Sequence, residues 1–185
     1  MQNMDASQSF TAQLFVNGTP VALAGKVLQK KLEAPDISEY WSGVFRRQME
    51  RVKNMLSYGE EVVPETFLFA HHDGVYTIKV ADENGQFVNS ASMEGELRNL
   101  TVFEGTDPTY FHIINGAGDS VKLDNLPEAL NKIRLHTGPQ RREVHTYGDE
   151  PNFPTLTDLK DRGGRLVFFE LKILERGVRQ STNSK

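Results

Sequence analysis

The sequence predicts an all-β or mostly β domain, and three observations carry that reading. Residues 74–81 alternate at a period of two, with Tyr76, Ile78 and Val80 on one face and Val75, Thr77 and Lys79 on the other, the pattern of a half-buried strand. Residues 165–174 join aromatic and branched side chains between Gly163-Gly164 and Gly177, a composition suited to a pleated surface. In the tail of that run Phe169, Leu171 and Ile173 face away from Glu170, Lys172 and Leu174. Finally, 185 residues with 38% apolar and 25% charged content are enough for one core and unlike a disordered chain. The expected organisation is a flexible N-terminus over residues 1–9, one β-rich domain over 10–176 and a flexible C-terminus over 177–185.

Taken in order, residues 10–16 form a strand, and Asn17-Gly18 is a strong hairpin signal, with residues 21–28 as the return strand. Phe45, Met49, Val52 and Leu56 recur at spacings of four, three and four, the stripe of a short helix that Gly59 stops. Asp82-Glu83-Asn84-Gly85 marks a turn, after which Gln86-Phe87-Val88 resumes extended structure. Further strands are expected over 97–103, 110–114, 120–123 and 132–136, with one helical turn running from Asn125 toward Asn131. Residues 138–164, punctuated by Pro139, Gly148, Pro151 and Pro154, read as a long loop and a place to look for binding.

From Tyr76 to Asn115 the chain reads YTIKVADENGQFVNSASMEGELRNLTVFEGTDPTYFHIIN. A strand, a turn at Asn84-Gly85, the pair Phe87-Val88, a polar middle and a closing strand at Tyr110-Phe111-His112-Ile113-Ile114 follow one another. This resembles one repeat of a β-trefoil of the fascin-like or lectin-like type. A last repeat would open at Ile133-Arg134-Leu135-His136 and close over 167–174, and a first would open over 12–16. The resemblance implies a β-trefoil or related small β-barrel with a short accessory helix, and with it a binding role. A β-sandwich stays open as an alternative.

Formal net charge is −4, but residues 160–185 hold seven basic and three acidic residues, leaving −8 on the preceding 159. A mostly acidic body repels a phosphate backbone, so no nucleic-acid partner is expected. Zero cysteine excludes disulfides, thiolate metal sites and thiol catalysis. No apolar run reaches the ~20 residues that span a bilayer, so no membrane partner is expected. The polar opening lacks the order of a secretory signal; the expected compartment is the cytoplasm, with signal-independent export left open. There is no Walker loop, no G-x-G-x-x-G and no G-x-S-x-G elbow, and no cofactor or metal is expected.

Binding candidates fall in three places. Tyr40-Trp41 places two amphipathic rings together, suited to stacking on a sugar or filling a pocket in a protein partner. His71-His72-Asp73 precedes the strong strand at Val75, and Tyr147 with Asp149 and Glu150 lies in the long loop. The carboxylates Glu60, Glu61 and Glu65 form a cluster, but acid–base hydrolysis needs two of them facing one bond. The expected function is therefore non-catalytic recognition of a carbohydrate or a protein surface. The alternatives are a small β-barrel enzyme acting on a carbohydrate or neutral small molecule, and a structural subunit of an assembly.

Overall fold

In the computed structural model, which describes residues 3–148, 152–162 and 164–179, the chain opens with a hairpin. β1 (Asp5–Val16) and β2 (Thr19–Leu23) are antiparallel, and Val16 pairs with Thr19 across Asn17-Gly18. The two turn residues have φ of 50° and 77°, the mirror-image turn whose twist matches a hairpin and which asparagine and glycine tolerate. The expected return strand over 21–28 stops at Leu23. Ala24, Val27, Leu28 and Leu32 fall at helical spacing and pack together, so the chain coils into α1 (Ala24–Leu32).

α2 (Glu39–Val52) is capped by Ser38, whose hydroxyl accepts the Trp41 N–H at 3.2 Å. Phe45, Met49 and Val52 do line this helix, but it ends at Val52 rather than at Gly59. Leu56 instead begins β3 (Leu56–Tyr58), which pairs with β2. β4 (Phe67–His72) and β5 (Val75–Ala81) form a second two-residue hairpin, turning at Asp73-Gly74 with φ of 48° and 87°. Then come β6 (Phe87–Glu94), β7 (Asn99–Phe103), β8 (Phe111–Ile114) and β9 (Ser120–Val121).

The helical turn expected after Asn125 is replaced by a 3-10 turn at Leu123–Asn125, where Leu123 and Leu126 bury, and β10 (Leu130–Thr137) begins soon after. Residues 138–164 are not one loop. They hold β11 (Arg142–Glu143) against β10, β12 (His145–Tyr147) against β13 (Thr155–Thr157), and a 3-10 turn at Lys160–Arg162. Val144 and Leu156 anchor them in the core. The last apolar run is split into β14 (Arg165–Leu166) and β15 (Phe169–Arg176).

The fifteen strands found among the described residues join one mostly continuous sheet in the order β14-β12-β13-β7-β6-β5-β4-β1-β15-β10-β8-β9, with β2, β3 and β11 attached off that path. This corrects the expectation of a β-trefoil or related small β-barrel. A closed barrel joins every neighbouring pair by a ladder and leaves no edge. Here the path has two ends, β14 and β9, and β5 meets β8 at a single pair, Tyr76 opposite Phe111. The accessory helix is likewise two helices, inserted between β2 and β3.

One face of the curled sheet encloses the main core. Phe10 stacks on Phe69 with ring centroids 4.8 Å apart, Tyr76 meets both edge-on, and Phe111, Ile133 and Phe169 belong to the same cluster. The Tyr76 hydroxyl donates to Gln8 O at 3.0 Å and accepts the Leu123 N–H at 3.1 Å, and burial raises its pKa well above the usual phenol range. A second apolar cluster of Ala22, Val27, Leu28, Phe45, Val62 and Phe153 fixes the helices to the sheet.

Candidate interaction surface

The inserted helices carry the most distinctive surface. α1 has no capping side chain of its own at Leu23. The Leu23 N–H instead donates to Glu65 Oε2 at 3.3 Å, and Lys26 Nζ reaches Glu65 Oε1 at 2.5 Å. Glu65 is buried, so a carboxylate from a distant segment supplies the negative charge that a helix N-terminus favours. The expected acidic trio is thereby broken up: Glu65 turns into the helix start while Glu60 and Glu61 stay exposed.

α1 and the end of α2 approach closely at Gly25, whose N–H donates to Lys53 O at 3.1 Å. A Cβ there would lie 3.0 Å from Lys53 Cβ, so a side chain at this position would press the end of α2 away by a few tenths of an ångström. Beside it runs an open groove of ≈ 630 Å³, lined by Met49, Val62 and Val63 together with Lys26, Lys30 and Lys53. Val63 is 75% exposed. Lys30 and Lys53 pair with the exposed carboxylates of Glu33 (3.7 Å) and Glu50 (3.1 Å), contacts of little strength in water. Residues 24–53 hold seven basic and four acidic residues in a chain of net charge −4. A second cleft, ≈ 550 Å³, shares Lys26 and is lined by Glu65, Asp82, Glu83 and Phe87 among others.

The binding candidates read from the sequence sit on separate elements. Tyr40 and Trp41 lie in the first turn of α2. Tyr40 is 69% exposed, whereas Trp41 is partly buried in the helical cluster, 5.7 Å from the Phe45 ring. His71 and His72 end β4, and Asp73 is in the turn. His71 is buried; its Nε2 accepts the Gly74 N–H at 3.1 Å, and Nδ1 lies 3.6 Å from Asp5 Oδ2 without a hydrogen bond. Burial lowers the His71 pKa against the opposing pull of Asp5, and its Nε2 contact with Gly74 lies within the β4–β5 turn. His72 Nε2 contacts Thr77 Oγ1 at 3.2 Å.

Tyr147 is on β12, and the Arg162 guanidinium covers its ring at 4.1 Å. Asp149 and Glu150 lie outside the described residues. His112 and His136 sit opposite each other on β8 and β10, and burial lowers both pKa values. Among the described residues no group of three or more histidines and carboxylates is placed to hold a metal ion, and no helix is long and apolar enough to cross a membrane.

The groove residues were not among the candidates. Their signal was the charge count over residues 24–53, where basic residues outnumber acidic ones inside an acidic chain. The fold buries Val62 and exposes Val63. No protein-family model, curated protein or solved structure matches this chain.

Proposed function

We propose that this chain is a non-catalytic recognition module that binds an acidic protein surface through the groove between α1 and α2. The observation that carries the reading is an open groove lined by Met49, Val62, Val63 and three lysines, on a helical layer whose positive excess opposes the charge of the rest of the chain. Apolar contact supplies affinity, and the lysines select and orient a partner that presents carboxylates beside apolar side chains. An amphipathic acidic helix is the matching occupant, since its two faces offer both groups together. The carbohydrate half of the expected recognition is not carried forward. It leaned on the β-trefoil resemblance, which the strand order corrects, and on a free Trp41 ring, which packs against Phe45.

The test is a titration with a fluorescein-labelled amphipathic peptide bearing leucines on one helical face and glutamates on the other. Val63→Glu and Lys30→Glu are each expected to weaken binding by about tenfold or more, and the wild-type affinity is expected to fall with added salt. Both positions line the open groove, so the folded state is retained and circular dichroism checks it. Equal affinity for wild type and both variants would reject the groove as the recognition surface.

A further inference from the structure

Two histidines face each other near one end of the sheet. His136 on β10 stands directly opposite His112 on β8 and, along its other edge, opposite Glu143 on β11. Residues opposite one another in an antiparallel ladder share a face, with Cβ atoms about 4.5–5.5 Å apart. The flanking pairs Leu135–Ile113 and Thr137–Phe111 are buried, so both imidazoles and the Glu143 carboxylate gather on the other face. They are shielded there too. His112 is 8% exposed, the His136 side chain 15%, and the Tyr110 ring meets His112 edge-on with centroids 6.1 Å apart.

The cluster suits neutral rings. Arg134 Nη1 holds Glu143 Oε1 at 3.1 Å, and His136 Nε2 lies 3.7 Å from the same oxygen, buried without a hydrogen-bond partner. Among the described residues Glu143 is the one carboxylate that comes within ion-pair distance of either ring. The cations acting on the rings are Arg134 on β10 and Arg141 in the turn between β10 and β11. With both rings neutral, these groups carry two positive charges and one negative; with both protonated, four and one. Burial is the main cause that holds both rings below the usual histidine range. Arg141 adds to it at both and Arg134 at His136, whereas Glu143 opposes it at His136 and the Gly138 backbone at His112.

We infer that His112 and His136 form a proton-operated latch, which holds β8, the end of β10 and β11 together while both rings are neutral and opens that corner when acid charges them. The corner is lightly held elsewhere. Beyond its four pairs with β10, β8 meets β9 in two pairs and β5 in one, and β11 joins β10 in two. Short ladders at the end of a sheet open at less cost than its central strands. The direction of the response follows from where the protons bind. The unfolded chain takes up a proton at each histidine near a pH of about 6.5, and the folded rings resist it. The contribution of the latch is therefore complete above that pH and is lost as pH falls from there to the lower folded values.

The test is urea unfolding of the full chain between about pH 7 and pH 5.5, with imidazole spectra and amide exchange recorded over the same interval. The wild-type unfolding constant is expected to rise by up to about eightfold for each of the two rings, a rise that disappears when His112→Gln and His136→Gln are combined. Amide protection over residues 111–114 and 134–143 is expected to fall before that of the central strands. The titration midpoints of the wild-type rings, expected below about 6.5, need no variant, and His136→Gln alone supplies the comparison if the double variant does not fold. His71, which burial also holds low, sits on β4 and keeps its own slope in all of these proteins. Equal pH dependence in wild type and variants would overturn the latch. So would ring midpoints at or above about 6.5, or protection lost first at residues 71–74, which would assign the acid response to the β4–β5 hairpin.

Discussion

Asp158→Ala is expected to destabilise the folded chain by about 3 kcal/mol, at the low end of the range for breaking a buried ion pair. The Asp158 side chain has no exposed surface; it accepts from Arg98 Nε at 2.9 Å and Nη2 at 2.6 Å, and from Thr137 Oγ1 at 2.6 Å. These bonds tie the turn between β6 and β7, the end of β10 and the end of β13 into one junction. Arg98 keeps 32% of its side chain exposed and reaches water when its partner is removed, which limits the loss. Asp158→Asn, which retains an acceptor for Thr137, is expected to lose less. Burial alone would raise the Asp158 pKa, but the hydrogen bonds from Arg98 and Thr137 outweigh it and hold the carboxyl below its usual range. The contribution of the carboxylate is therefore complete above the unfolded-state pKa of about 3.9 and is lost as pH falls through the lower folded value. Urea unfolding at neutral pH measures the difference; a loss below about 1 kcal/mol, the scale of an ordinary surface pair, would contradict the junction.

Phe69→Ala is expected to cost about 3–5 kcal/mol, the range for emptying a buried aromatic site. Phe69 has no exposed surface and lies between Phe10 on β1 and Ile78 on β5 in the register of the sheet. Its ring stacks on Phe10 with an interplanar angle of 6°. Strands on both sides pack against this ring, so the cavity has little freedom to collapse. Phe69→Leu, which fills more of the space, is expected to lose less. Chemical denaturation with a common slope compares the three proteins; an alanine variant as stable as wild type would show that β1, β4 and β5 do not share one core there.

Local chemistry was legible where a few neighbouring residues decide the outcome. Asn17-Gly18 makes its hairpin because both positions need positive φ, and the alternation over 74–81 places Tyr76, Ile78 and Val80 inward as expected. The segment Val-Ala-Leu-Ala-Gly-Lys-Val-Leu over 21–28 fits two periods, and contact with Phe45 and Val62 selects the helix. β11, β12 and β13 are two or three residues long, too short for a period to register, so glycine and proline made their surroundings read as a loop. The β-trefoil expectation failed for a related reason. Strand–turn–strand spacing is local, whereas the order in which strands join is set by long-range pairing.

The site was half legible. The basic excess over 24–53 was present in the sequence. Val63, by contrast, stands exposed beside the groove two residues before the buried Glu65, a placement that only the fold shows.

The central claim is that the groove between α1 and α2 is the recognition surface. Amide correlation spectra of the full chain, titrated with the leucine–glutamate amphipathic helix, test it most directly. The expected result is a set of shifts concentrated at Gly25, Gln29, Lys30, Met49, Lys53 and Val63. Shifts that are absent there, or that gather instead at His71–Gly74 or around Tyr147, would contradict it.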